Sequence, residues 1–418
     1  MTFTDYLSQE WVPALGCTEP ASIAFAAATA ARELSGPAQK VSIVCDARIY
    51  KNCYAVGIPR SGGRTGILWA AGLGANLSDP ALGLQCFSLV NDETLDAAEK
   101  LINGNSVVVD VDATQPGLFI DCLVEGADSS ARVVIAGEHI NIVRKERDGK
   151  AFFERPMTAH GIKTDIRALV ADMSTDEMIE LARSVSPLDR GKLRDGIALN
   201  LKIAENGLTL FPDRFVDLTS SDELTRLSTL VCAGVYARMC GEEYPVMTLA
   251  GSGNKGITAS VPMALRGITL QRRQDEIEEA LALACLLTSA TTHHLGTLSA
   301  VCGCSNAAGI GLAAGLVLME GGAGKEIGLA INNMVGNVSG MICDGAKIGC
   351  ALKTMTAVDA AFRAAALAMS GIGIPCSDGI VGKDGRASLE NLGRIATRGM
   401  ISADSEILAI MKEKLNRR

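Results

Sequence analysis

Apolar residues recur along this chain with two different periods, and the changes between them divide it into three segments. Residues 1–37 read as helical. A helical pattern opens over Asp5–Leu15, Pro13 and the run Gly16-Cys-Thr-Glu-Pro20 interrupt it, and Ala21–Leu34 is an alanine-rich helix. Pro20 suits a first helical turn, where its missing N–H would have had no partner. Across 38–157 the period falls to two. Strands are expected at Val41–Cys45, Ser106–Asp112, Gly117–Val124, Ala131–Ile135 and His139–Arg144, with helical patterns at Gly66–Leu77 and Asp92–Ile102 between them. Over 158–418 the pattern is helical again. Thr164–Ala171, Ser174–Val185, Asp189–Asn206, Asp222–Cys240 and Asp275–Ser289 each open on a capping residue or an acidic first turn.

The stretches 301–319 and 325–369 are different in kind. They are apolar on every side and interrupted by glycines, and a helix with no polar face is a buried one. The expected fold is therefore α+β: a predominantly helical bundle with buried central helices plus a smaller mixed α/β subdomain. Residues 1–37 are expected to pack on the helical domain (158–418), with 38–157 forming the α/β unit. A chain of 418 residues is too long for one ordinary core.

Composition adds two points. Aromatic residues make up only 4% of the chain and there are 44 glycines, so its core must bring backbones close together rather than fill space with rings. The net charge is -8 without a run of either sign. That excludes the basic face nucleic acid requires and a polybasic patch for an anionic membrane. The start, Met1-Thr-Phe-Thr-Asp-Tyr, has no basic residue followed by an apolar run, so no signal peptide is expected. The longest apolar stretch, Ala307–Met319, is broken by three glycines and falls short of the roughly 18 residues of a membrane span. A cytoplasmic protein with no nucleic-acid or membrane partner is expected.

In a reducing compartment, thirteen cysteines are not a disulfide framework. Cys45, Cys86, Cys122, Cys232, Cys240 and Cys285 stand in apolar surroundings and read as small buried hydrophobes. The others lie among glycines. Cys17 precedes a Pro-started helix, where free amides and the helix dipole favour thiolate; a plain helix cap fits the same residues. In Leu249-Ala-Gly-Ser-Gly-Asn254-Lys-Gly256 the alternating glycines can aim backbone amides at a carboxylate, with Ser252, Gly253 and Asn254 as the binding residues. The Gly-Lys-Ser/Thr ending of a phosphate loop is absent. Cys302-Gly-Cys304 and Cys343-Asp-Gly-Ala-Lys-Ile-Gly-Cys350 lack Cys-x-x-Cys spacing, so neither is a zinc ribbon nor a ferredoxin run.

On an unbroken helix Cys343 and Cys350 would lie about 10.5 Å apart along the axis, too far to share one cluster comfortably. If they do share one, the helix must break near Asp344-Gly345 or Gly349. Three cysteines would leave one iron open as a Lewis acid; three buried thiols fit the spacing equally well. His293-His294 point apart on a helix and read as helix-end residues. His139 and His160 are isolated. Lys347 could form a pyridoxal Schiff base, but no phosphate cradle accompanies it.

Together, Gly16-Cys-Thr-Glu-Pro20, Gly251-Ser-Gly-Asn254, Leu298-Ser-x-x-Cys-Gly-Cys304 and Ser339-Gly-Met-Ile-Cys-Asp-Gly-Ala-Lys347 resemble the L-cysteine desulfidase family, a relative of the catalytic domain of iron–sulfur L-serine dehydratase. The resemblance runs in the same order over nearly the whole chain and makes 158–418 the catalytic domain. It implies a [4Fe-4S] cluster without pyridoxal phosphate, held by Cys304, Cys343 and Cys350, with Cys302 the rival of Cys304. It also implies Cys17 as catalytic base and α,β-elimination of L-cysteine to pyruvate, ammonia and sulfide. The expected partners are a small amino-acid substrate and further copies of the chain in a homo-oligomer. An L-serine dehydratase and an iron–sulfur redox sensor are the competing readings.

Overall fold

The computed structural model describes residues 1–77, 79–115, 117–156, 165–219, 222–296 and 299–416. His160 and Thr164 lie outside them. Helix α1 (Phe3–Glu10) is closed by a capping box between Thr2 and Asp5. The short strand β1 (Pro13–Leu15) follows, then α2 (Thr18–Ala31). Strand β2 (Lys40–Asp46) runs straight into α3 (Ala47–Cys53), whose first amides, Arg48 and Ile49, donate to the Asp46 carboxylate. After α4 (Ile67–Gly74) and α5 (Asp92–Asn103) come β3 (Val107–Asp112), β4 (Phe119–Glu125), β5 (Ser130–Ala136), β6 (Ile142–Arg147) and β7 (Lys150–Glu154).

Strands β2 to β7 form one mixed sheet in the order β3-β2-β4-β5-β6-β7. Only β2 and β3 pair parallel, and the remaining neighbours are antiparallel. The alternating burial of β4 is what its period-two sequence requires. Strand β6 begins three residues later than the apolar pattern of His139–Arg144 suggests, because residues 137–141 turn between β5 and β6.

The remainder is helical: α6 (Ile166–Asp172), α7 (Thr175–Arg183), α8 (Pro187–Leu208), α9 (Asp213–Thr219) and α10 (Glu223–Cys240), then β8 (Pro245–Met247). Next come α11 (Gly253–Thr269), α12 (Gln274–Leu295), α13 (Gly303–Met319), α14 (Gly324–Val338), α15 (Gly349–Met369), α16 (Gly385–Arg394) and α17 (Ile401–Asn416). Helix α13 lies at the centre, against α11, α12, α14 and α15. Its glycines are the reason it can. A Cβ on Gly311 would stand 2.3 Å from Thr288 Oγ1 and 2.4 Å from the Ala284 carbonyl of α12. The two helices touch backbone to backbone, as an aromatic-poor, glycine-rich composition demands. The architecture is α+β with helices dominant. Among the described residues no helix is long and apolar enough to cross a membrane.

Among the described residues two large hydrophobic cores divide the molecule, beside a small cluster of Val134, Ala136 and Val143, and the division corrects one expectation. Residues 1–37 do not pack as a unit on the helices. Phe3, Tyr6, Leu7 and Trp11 of the α1 segment join the helical core. The alanines of α2 join Val41, Ile43, Ile120, Val133 and Ile135 in the core over the sheet. A helix of small residues buried on nearly all sides carries no stripe to announce its partner. The chain crosses between the cores at Cys17. There β1 pairs antiparallel with β8, Ala14 opposite Val246.

Because Gly311 sits at a backbone-to-backbone contact, Gly311→Val is expected to cost more than about 2 kcal/mol in urea unfolding, the range for overpacked cores. Gly340→Ala, with nothing within 4 Å of its Cβ position, is expected to stay within about 0.5 kcal/mol.

Candidate active site

The stretch 325–369 is not one helix. Helix α14 stops at Val338 and α15 begins at Gly349, so Cys343 lies in a loop and Cys350 in the first turn of α15. The break centres on Gly345, whose φ of +97° L-residues rarely adopt and whose Cβ position lies 2.2 Å from the Lys51 carbonyl. Residues 300–302 run beside 341–343 as a miniature antiparallel pair. Cys302 N–H donates to the Met341 carbonyl at 2.8 Å, and Cys343 N–H to the Ala300 carbonyl at 2.7 Å. Val301 and Ile342 face each other between them.

These bonds set Cys302, Cys304, Cys343 and Cys350 around one cavity. Cys302 and Cys350 are buried, while Cys304 and Cys343 are partly exposed to it. The thiols sense one another. Burial followed by the charge of Cys302 pushes Cys350 up to about 12. A hydrogen bond to Cys304, ahead of burial itself, raises Cys302. The Ser305 hydroxyl lies 3.3 Å from Cys302 Sγ, and the Ser252 hydroxyl 3.6 Å from Cys304 Sγ.

The adjoining wall is the Leu249–Gly256 loop. Ala250 and Gly251 both have positive φ, and the turn delivers the chain into α11 with Ser252 at its N-cap, making no side-chain capping bond. The amides of the first turn have no partner within the helix. Asn254 accepts from Arg238 Nη1 at 2.9 Å. Gly253 is packed under Arg238, its Cβ position 2.5 Å from Nε. Arg238 Nη2 donates to the Gly16 carbonyl at 2.7 Å, which ties α10 to the residue before Cys17. Lys255 Nζ donates to the Ala250 carbonyl at 3.1 Å and the Thr292 hydroxyl at 2.9 Å. Burial, then the charge of Arg167, brings its ammonium down to about 8. Arg238 and Lys255 are 2% and 4% exposed, and among the described residues no carboxylate forms an ion pair with either. That wall is a pole of buried positive charge.

Cys17, Glu19, Asn52 and His139 complete the lining. Cys17 is the N-cap of α2 but makes no capping bond. Its thiol donates instead to Glu19 Oε2 at 3.0 Å. Burial, then the negative charge of Glu19, raises the Cys17 thiol well above its usual range, and the Arg238 cation only partly offsets this. The amides and helix dipole that favour a thiolate at Cys17 are thereby outweighed by desolvation and a neighbouring carboxylate. Burial works to raise Glu19 too, but His139 and the Cys17 thiol outweigh it and hold the carboxylate at about 2. Asn52 Nδ2 donates to Glu19 Oε1 at 3.1 Å. His139 Nε2, buried without a hydrogen-bond partner, stands 3.9 Å from the same oxygen.

Cys17, Ser252, Asn254, Cys302, Cys304, Cys343 and Cys350 all line one cavity, with Gly253 packed behind it under Arg238; Lys347 borders a separate space, and Leu298 lies outside the described residues. The fold also adds Glu19, Asn52, His139, Arg238 and Lys255. Glu19 was visible inside the Gly-Cys-Thr-Glu-Pro run. His139 was not, because its neighbour in space is 120 positions away. His293 and His294 end α12, and His293 Nδ1 lies 3.9 Å from Asp165.

Four soft sulfur donors on one side of a cavity suit iron or another thiophilic metal. Among the described residues no three His, Cys, Asp or Glu side chains close tightly enough to grip a single ion. By donor chemistry alone, the residues present fit an iron–sulfur cluster.

A family model described as the serine dehydratase alpha chain matches residues 127–409. The chain is also similar over nearly its whole length to bacterial proteins named UPF0597. The protein of Geobacter sulfurreducens is 36% identical, covering 99% of this chain and 98% of that one. That of Caldanaerobacter subterraneus subsp. tengcongensis is 35% identical over 99% of both. That of Oleidesulfovibrio alaskensis is 37% identical over 99% and 98%.

If Glu19 holds the Cys17 proton, Glu19→Gln should shift the pH dependence of Cys17 alkylation toward neutrality. Peptide mass spectrometry under iodoacetamide reads this at Cys17 alone. An unmoved profile would show that burial by itself sets the thiol.

Proposed function

This chain belongs to the serine dehydratase alpha-chain family, and from that premise we propose that it is an iron–sulfur L-cysteine desulfidase. The observation that carries the reading is the shared cavity: four thiols on one wall, buried cations on another, and the Cys17–Glu19 pair between. Cys304, Cys343 and Cys350 would hold a [4Fe-4S] cluster. When bound, the cluster supplies an iron without a protein ligand, a Lewis acid beside the departing sulfur.

The remaining roles fall to the chain. An α-amino acid is a zwitterion, and the cavity is polarised to match. Arg238, Lys255 and the amides at the head of α11, flanked by Ser252 and Asn254, receive the carboxylate. Glu19 faces the ammonium. Cys17 takes the α-proton. To do so it must first lose its own proton, a loss that the Glu19 carboxylate at 3.0 Å opposes and that the Arg238 cation favours. The Cα–H electrons form the double bond as the Cβ–S bond breaks and sulfide leaves. The 2-aminoacrylate product tautomerises to the imine, and water hydrolyses it to pyruvate and ammonia. Serine fits the same polarity, but hydroxide is a poorer leaving group than sulfide.

One observation favours a rival. Cys302 is a fourth thiol at the same cavity, and a cluster with four protein ligands would make a redox sensor with no open iron. Serine substitutions decide between them. Cys304→Ser, Cys343→Ser and Cys350→Ser are each expected to abolish iron uptake on anaerobic reconstitution, while Cys302→Ser retains the cluster and sulfide release. Loss of the cluster in Cys302→Ser with retention in Cys304→Ser would exchange the two residues' roles; loss in all four would support the sensor.

Two kinetic expectations accompany this. Cys17→Ser should reduce sulfide release from L-cysteine by at least about a thousandfold, at the upper part of the general-base range, with the cluster's absorbance intact. In the wild type kcat/KM should rise with pH into the alkaline range, because the proton on Cys17 is held above the usual thiol range and must leave the free enzyme. A plateau already established at pH 6 would contradict Cys17 as the base.

A further inference from the structure

The loop that carries Cys343 has little behind it. On its inner side lies the cavity of the thiols. On its outer side is a second space, lined by Tyr54, Ile342, Asp344, Lys347, Ile407 and Met411 among others. Lys51 and Ala346 border both, so the loop is a thin partition. Asp344 is engaged by Lys347 and Lys353, contacts that stay on the loop and the start of α15. They shape the partition but do not anchor it to the sheet half of the molecule.

One side chain does. Lys51 Nζ, its side chain 2% exposed, donates to the Cys343 carbonyl at 2.8 Å. It also donates to Asp404 Oδ1 of α17 at 2.6 Å. The backbone of the same residue presses on the loop again, its carbonyl filling the place a Cβ on Gly345 would take. Asp404 is thus the counter-charge of a buried ammonium, and removing it would leave that ammonium uncompensated. Helix α17 has attachments of its own: Leu408 reaches the sheet core, Tyr54 donates to the Met411 carbonyl at 3.3 Å, and Arg48 lies 3.8 Å from Asp404.

We propose that Lys51 and Asp404 are a positioning pair that clamps the Cys343 loop from outside, so that α17 governs how firmly the cluster is held. The inference deepens the cluster reading above and rests on it, but the clamp has a test that needs no cluster. In the full-length protein before iron loading, Asp404→Asn should speed hydrogen–deuterium exchange of the amides of 341–349 by about tenfold, as for a segment whose local opening is eased. The amides of 249–256, which Lys51 does not touch, should be unchanged. After anaerobic reconstitution, a ferrous chelator should strip iron about tenfold faster from Asp404→Asn than from wild type. Asp404→Glu should restore much of the difference, and Arg48→Ala, which removes a neighbour of Asp404 without touching the loop, should match wild type.

If α17 exchanges freely in Asp404→Asn while 341–349 stay protected, the helix is merely attached and the clamp is refuted. Faster exchange of the loop without faster iron loss refutes its control over the cluster. A wild type that takes up no iron at all refutes the cluster reading, and the exchange experiment then decides the clamp alone.

Discussion

Two backbone hydrogen bonds hold this site together. Cys302 and Cys343 each donate to the other's strand, and through that exchange two segments about forty residues apart present their sulfurs to one space. Side chains alone could not fix such a meeting, since a thiol is a weak hydrogen-bonding group. Peptide groups can, and they also satisfy backbone that would otherwise be buried without partners. The helix break at 339–348 is the condition for this pairing, because a residue inside α14 or α15 would have its amide committed to its own helix.

The second condition is the seam between the cores. Lys51, Asn52, Glu19 and His139 come from the sheet side. Arg238, Lys255 and the four cysteines come from the helical side. The cavity between the two cores is dry enough to move Cys17 and Lys255 far from their ordinary protonation behaviour, while His139 and the Cys17 thiol hold Glu19 down against the same dryness. The chain passes through this seam at Cys17, so the pair Cys17–Glu19 belongs to both halves at once.

Much of this was legible in the order of residues. The glycines around Cys343 and Cys350 foretold the broken helix, and the four motif segments do meet around one space. What escaped did so for physical reasons. Alanine on every face of α2 carries no directional signal, so its partner core could not be read. Arg238 sits in a helical pattern where an arginine ordinarily reaches solvent, and its burial follows from helices packed around it. Lys51 acquires its meaning from Cys343 and Asp404, both hundreds of positions away. The leaning toward thiolate at Cys17 came from a rule about local dipoles, which cannot count a carboxylate two residues on that folds back onto the thiol, nor the water that two cores remove.

That protonated thiol has a consequence for endurance. Oxidants and electrophiles attack thiolate far faster than thiol. Held by Glu19 in its neutral form, Cys17 is chemically quiet in the idle cavity. The same bond that delays proton removal therefore shelters the residue from sulfenic acid and its irreversible successors.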